Sequence, residues 1–179
     1  MEGRLRHLVT ALAPFAGAAL LLATGLGAAG GNACASPSAD APAAQQRASI
    51  LCLVNELRRG NGLRALRPVA GLERAARLKA DAIVRCEHFS HTPCGQALAS
   101  TFLEAGYAVG SWTVGENLAW GAGDRGSAER AFAALLDSPS HRANFLRRGW
   151  RDIGISLWRG TLFGHDRVAL WVIDFGSRY

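Results

Sequence analysis

Apolar residues recur at intervals of three and four positions in several segments of the chain, which predicts amphipathic helices. Two long segments, residues 45–59 and 72–86, show this period and have a polar opposite face. In the second segment Leu72, Ile83 and Cys86 share the apolar face. A third long helix is predicted over residues 127–136, with Ser127 as its N-cap, and shorter helices over residues 97–105 and 141–147.

Three other segments alternate between apolar and polar residues, which is typical of half-buried strands. These are residues 112–119, 153–158 and 168–175, and Gly160 and Gly164 predict a turn between the last two. The order is helices, a strand, helices and then a strand pair. This order predicts an α+β fold in which a small central antiparallel sheet is covered by helices on both faces.

The first 35 residues have the composition of an export signal. Arg4 and Arg6 precede an uncharged run from residue 8 to residue 39, and Ala33-Cys34-Ala35 offers a small-residue cleavage site. We therefore expect a signal peptide over residues 1–35, a linker with nothing to pack over residues 36–44, and one domain over residues 45–179. Two alternatives stay open, an uncleaved membrane anchor and acylation of Cys34.

The four cysteines of the chain fit an exported protein. Cys34 is expected to leave with the signal peptide. Cys86 and Cys94 lie eight residues apart across a helix end and a loop, so we expect a disulfide between them. Cys52 lies in an apolar helical run and is expected to be a free, unreactive thiol.

The formal net charge is +6, but the basic residues are dispersed along the chain. No run of Arg or Lys exceeds two residues and Lys79 is the only lysine, so no nucleic-acid partner is expected. A membrane partner is expected only if the N-terminal segment is retained. The charge is compatible with attraction to an acidic envelope surface.

Two histidines and one glutamate, His91, Glu116 and His141, are the candidate functional residues. Imidazole and carboxylate groups bind divalent metals and move protons. A structural interpretation is equally open, because either histidine could bond a backbone carbonyl and a buried Glu116 could accept bonds from backbone amides.

Each of these residues lies in a short motif, and the motifs occur in a fixed order. They are Leu53-Val54-Asn55-Glu56-Leu57-Arg58, Phe89-Ser90-His91, Gly115-Glu116-Asn117-Leu118 and Ser138-Pro139-Ser140-His141-Arg142-Ala143-Asn144, followed by Ile153-Gly154-Ile155. Over residues 45–176 the chain resembles a bacterial member of the CAP superfamily. This group comprises the SCP-domain proteins, namely cysteine-rich secretory proteins, antigen 5 and pathogenesis-related class 1 proteins.

The resemblance implies an α-β-α sandwich with a central cleft into which His91, Glu116 and His141 project. In several members the equivalent histidines bind a divalent cation, often zinc. Eukaryotic members carry a second cleft glutamate, and here Asp137 is the only nearby carboxylate that could substitute. The chain also departs from the family pattern at Leu135, where many members have an aromatic residue, and at Ser140, which replaces the usual Gly.

No Ser, Cys or Thr nucleophile with a partnering base is visible, so no catalytic residue is assigned. The sequence favours a secreted monomer, extracellular or associated with the cell envelope. Its cleft is expected to bind a small apolar ligand, an envelope component or a divalent cation such as zinc. The alternative is a metal-dependent, peptidase-like hydrolase with the metal on His91 and His141 and with Glu116 as general base. A third hypothesis is an adhesion module that uses Arg-rich surfaces.

Overall fold

The computed structural model describes residues 34–179, so the predicted signal peptide lies almost entirely outside the described residues. In chain order the elements are α1 (Ala43–Gly60), β1 (Arg67–Pro68), α2 (Ala70–Cys86), α3 (Ser100–Glu104), β2 (Trp112–Ala122), α4 (Ala128–Asp137), α5 (Pro139–Phe145), β3 (Asp152–Leu162) and β4 (His165–Arg178). Short 3₁₀ turns occupy Pro93–Gly95 and Gly123–Gly126. Between residues 34 and 179, no helix is both long enough and apolar enough to cross a membrane.

The four strands form one sheet in the order β1-β3-β4-β2, which places β2 at an edge. Strand β4 pairs antiparallel with both β2 and β3. Strand β1 pairs parallel with β3, where Arg67 lies opposite Asp152. The sheet is therefore mixed, whereas the sequence predicted an antiparallel one, because a two-residue strand has no alternation to recognise.

Helices cover both faces of the sheet. Trp171, Ile173 and Phe175 of β4 pack in one core with residues of α1, α4 and α5. Leu170 and Val172, which alternate with them, pack on the opposite face with residues of α2. This arrangement confirms the predicted α+β class and the α-β-α sandwich, with β4 as its buried centre.

Helix α2 packs on β3 at Gly154 with almost no space between the two backbones. A Cβ atom at this position would lie 2.1 Å from the carbonyl carbon of Leu72 and 2.4 Å from the amide nitrogen of Glu73. Only glycine allows this approach, which brings the buried face of α2 onto the middle of the sheet.

The structure contains two disulfides, and one of them corrects the sequence prediction. Cys86 and Cys94 are bonded as expected. Cys52 was predicted to be a free thiol, and this is wrong because it is bonded to Cys34, with 5.6 Å between their Cα atoms. The Oγ of Ser49 donates to the carbonyl of Ala35 at 2.6 Å, which holds the incoming chain against α1. Cleavage after Ala35 would remove Cys34, so that cleavage position and this disulfide exclude each other.

The segment before α1 also differs from the expected linker with nothing to pack. Arg159 of β3 donates to the carbonyls of Ala39 at 2.7 Å and Ala41 at 2.8 Å. The Gln46 side chain donates to the carbonyl of Ser38 and accepts from the amide of Ala128 at 2.7 Å. These polar contacts make residues 38–41 part of the domain surface.

Candidate functional site

An open cleft of ≈ 450 Å³ lies along the edge strand β2 and brings the three predicted residues together. His91 comes from the loop after α2, Glu116 from the middle of β2 and His141 from the first turn of α5. The complete lining is His91, Glu116, Asn117, Ser140, His141, Ala143, Asn144 and Arg147. Seven of these eight residues have polar side chains.

His91 and Glu116 form a hydrogen-bonded pair. Nδ1 of His91 lies 2.7 Å from Oε1 of Glu116. The Glu116 side chain has no exposed surface, whereas 45% of the His91 side chain is exposed. A carboxylate at this distance fixes the proton on Nδ1, which leaves the lone pair of Nε2 available to a ligand.

Two further ionisable residues, Lys79 and Asp174, lie beneath this pair, and the sequence prediction missed both. Nζ of Lys79 donates to the backbone carbonyl of His91 at 2.5 Å and lies 3.4 Å from Oε2 of Glu116. Its side chain is 1% exposed. Asp174 of β4 lies directly opposite Glu116 in the sheet register and is completely buried. The only lysine of the chain therefore holds the His91 loop onto the sheet.

The cluster shifts the pKa of two of its groups. Burial raises the pKa of Asp174 well above its usual value, the charge of Glu116 raises it further, and Lys79 partly opposes both effects. Neither carboxylate oxygen of Asp174 has a hydrogen-bond partner among the described residues. Burial also lowers the pKa of His141, and the charge of His91 lowers it further. A neutral imidazole at His141 is the form that binds metals.

Helix α5 is clamped onto β2 by two asparagines. Asn117 donates to the carbonyl of His141 at 3.1 Å, and Asn144 donates to the carbonyl of Glu116 at 3.1 Å and to Oδ1 of Asn117 at 3.0 Å. Trp150 donates from its indole to the carbonyl of Asn144 at 2.9 Å. Gly115 leaves room for this contact, because a Cβ there would lie 2.7 Å from the Trp150 ring. These bonds fix His141 relative to Glu116.

The motif at the end of α1 supports α5 from the other side. Arg58 is buried and donates to the carbonyls of Phe145 at 2.7 Å and Arg147 at 3.1 Å, which lie at the end of α5. Asn55 exchanges two hydrogen bonds with the backbone of Leu66. This part of the sequence signature therefore holds the scaffold and does not line the cleft.

Asp137, the possible extra carboxylate, lines a separate groove with Trp120 and is not among the residues that line the cleft. A three-ligand metal cluster is also not assembled at the cleft. Within residues 34–179, the one close group of potential ligand atoms belongs to Cys34, Cys52 and Glu56, and its two sulfurs form the disulfide. The cleft thus offers two imidazoles, with Glu116 occupied by His91 and Lys79.

Three solved structures of bacterial proteins share this fold. An outer surface protein from Borrelia burgdorferi has a TM-score of 0.67 at 21% identity, with 81% of this chain and 100% of that chain covered. An extracellular SCP-domain protein from Bacillus anthracis has a TM-score of 0.60 at 22% identity, with 72% of this chain and 39% of that chain covered. A cysteine-rich secretory protein from Staphylococcus aureus has a TM-score of 0.57 at 16% identity, with 78% and 41% covered.

At these identities the likeness shows the fold alone, and the chain spans about two fifths of the Bacillus and Staphylococcus proteins. No curated protein matches the chain. The family model described as the cysteine-rich secretory protein family matches residues 51–175, most of the chain and all of the elements that build the cleft. The chain therefore belongs to the CAP family of cysteine-rich secretory proteins.

Proposed function

We propose that this protein is exported and that its cleft binds a divalent cation, such as zinc, through His91 and His141. The observation that carries the proposal is the 2.7 Å bond between Nδ1 of His91 and the buried Glu116. Histidine ligands in metal sites commonly have this carboxylate partner, which orients the ring and increases its basicity.

Charge and burial support the same proposal. The lowered pKa of His141 favours its neutral form, so protons compete little with a cation for this imidazole near neutral pH. A bound cation would act as a Lewis acid toward a ligand in its open positions.

Glu116 is poorly placed to be the general base of a hydrolase. Its side chain has no exposed surface, and its two oxygens face His91 and Lys79. A base must come within hydrogen-bond distance of the proton it removes, so this arrangement favours binding over turnover.

Export is supported by the two disulfides, which persist in oxidising compartments. The relatives described as outer-surface and extracellular proteins are consistent with the same location. A role at the outer surface or in the medium follows as part of the proposal.

Isothermal titration with zinc chloride tests the cation site. We expect saturable heat for the unmodified protein and none for the variant that combines His91→Ala with His141→Ala. His88→Ala is the matched control, because His88 is an exposed histidine close to His91 that does not line the cleft. Equal heat from the double variant, or no heat from the unmodified protein, would overturn the proposal.

A further inference from the structure

A second groove, larger than the cleft, lies between β2 and α4. Its volume is ≈ 560 Å³, which is in the range of small-molecule sites. Trp120, Arg125, Arg130, Asp137 and His165 provide its polar and aromatic groups. Ala133 and Ala134 of α4 form an apolar wall. None of these residues contributes to the cation site proposed above.

Trp120 forms a braced aromatic platform at one side of this groove. It is 38% exposed. Its ring centroid lies 5.5 Å from that of Phe163 and 5.5 Å from that of His165, which is tilted by 36°. Trp150 and Trp171 donate their indole N–H to backbone carbonyls, whereas the Trp120 indole has no such partner among the described residues. The Trp120 ring is therefore held in place, and its indole N–H is free to donate a hydrogen bond to a ligand.

Two arginines beside this platform also lack partners. Arg125 lies in the 3₁₀ turn after β2, which approaches the strand closely because Gly121 has no Cβ to meet the Arg125 carbonyl 2.5 Å away. Arg130 lies in the first turn of α4. Neither guanidinium makes a hydrogen bond or an ion pair with any residue in the described part of the chain. Both are exposed and available to an anion.

The carboxylate of Asp137 restricts the chemical class of ligand that this groove could bind. This carboxylate lines the same groove, is exposed and has no hydrogen-bond partner within residues 34–179. A simple anion would gain from the arginines but would be repelled by Asp137. A ligand that fits all three needs an acidic group, hydroxyl donors and an apolar face for Trp120. Each ring of a uronic acid has these three features. It carries a carboxylate and hydroxyl groups, and the C–H groups of the pyranose form an apolar face.

We propose that this groove is a second binding site, which takes an acidic saccharide of the uronic-acid class. The carboxylate of the sugar accepts bonds from Arg125 and Arg130, its hydroxyls donate to Asp137, and its apolar face stacks on Trp120. The site is independent of the cation site, so either proposal can fail without the other.

Titration calorimetry with trigalacturonic acid tests this site, with a neutral trisaccharide and sodium sulfate as parallel ligands. We expect binding of the acidic trisaccharide alone. The combined variant Arg125→Gln and Arg130→Gln, and separately Trp120→Ala, should each weaken this binding about tenfold, which corresponds to about 1.4 kcal/mol and lies within the range for charge-assisted bonds and for stacked rings.

A matched control separates the groove from general electrostatic attraction. Arg148→Gln with Arg151→Gln removes the same charge from two exposed arginines outside the groove, and its affinity should stay within about twofold of the unmodified protein. The variant with both His91→Ala and His141→Ala should bind the trisaccharide normally. Equal binding of sulfate or the neutral sugar, an equal loss in the control variant, or no binding at all would overturn the proposal.

Discussion

At the scale of single residues, the buried charges beneath the cleft set the character of the site. Lys79 compensates one carboxylate, but two carboxylates, Glu116 and Asp174, share the same interior. Oε1 of Glu116 is hydrogen-bonded to His91 and Oε2 has only the ion pair with Lys79, whereas neither oxygen of Asp174 has a hydrogen-bond partner in the described part of the chain. The raised pKa of Asp174 is the expected result, because a second buried negative charge costs more than a neutral carboxylic acid.

Asp174 therefore predicts a specific dependence of stability on pH. Because its pKa is higher in the folded state than in the unfolded chain, the folded state keeps the proton to higher pH. The free energy of unfolding should fall as the pH rises from about 4 through the folded-state pKa, by about 1.4 kcal/mol for each unit of pKa difference. Asp174→Asn should remove this decline.

Urea unfolding at several pH values measures the effect, with Asp81→Asn as the control. Asp81 lies on α2 at an exposed position, so its removal should leave the decline unchanged. If the Asp174→Asn protein and the unmodified protein lose stability in parallel, Asp174 is not the group responsible.

At the scale of elements, the close contact between α2 and β3 positions the cluster. Gly154 lies opposite Asp174 in the register of β3 and β4. The close contact between α2 and β3 is therefore beside the buried carboxylate of Asp174. A methyl group at Gly154 would meet the backbone of α2 and push the helix that carries Lys79 away from the sheet.

Gly154→Ala should consequently destabilise the fold by about 1–3 kcal/mol, the usual cost of overpacking a core. Gly149→Ala is the control, since nothing lies within 4 Å of a Cβ there. The midpoints of urea unfolding compare the two variants. If Gly154→Ala lowers the unfolding midpoint no more than Gly149→Ala does, then α2 can move away from the sheet without loss of stability and the prediction is wrong.

The elements also show why sequence reading succeeded in some places and failed in others. The long helices and strands were predictable because local periodicity reports burial directly. Strand β1 was missed because its two residues are defined by their pairing with distant β3. Lys79 and Asp174 left a signal that was not used, a single charge on the otherwise apolar face of α2 and another on that of β4. A charged residue at a buried position indicates a buried polar cluster, although it does not identify Glu116 as the partner of Lys79.

The site itself was only partly predictable. The motifs brought His91, Glu116 and His141 to one cleft through the family resemblance, and the structure places them there. The motifs did not indicate that Glu116 is engaged by His91 and Lys79, because that depends on how α2 meets the sheet. The groove at Trp120 has no sequence signature, since its residues come from β2, α4 and β4 and meet only in the fold.

At the scale of the whole molecule, the two disulfides close loops of different length. Cys34 and Cys52 are 18 residues apart, whereas Cys86 and Cys94 are 8 apart. Removal of the Cys34–Cys52 bond should lower the free energy of unfolding by about 3 kcal/mol on the chain-entropy estimate. Removal of the Cys86–Cys94 bond, which closes the shorter loop, should lower it less. Urea unfolding without reductant compares Cys34→Ser with Cys52→Ser against Cys86→Ser with Cys94→Ser. A larger loss for the second pair would contradict this order.

Because the Cys34–Cys52 bond forms only under oxidising conditions, the stability of the domain depends on the cellular compartment in which the chain lies. Thiols stay reduced in the cytosol, so under the proposed export the polypeptide would lack this bridge before transport and would be less stable by the same amount. A weaker fold is easier to keep unfolded for transport across a membrane. In an oxidising compartment the bond would form and lock the start of the domain onto α1, so a protein exported as proposed would gain its full resistance to unfolding only after transport.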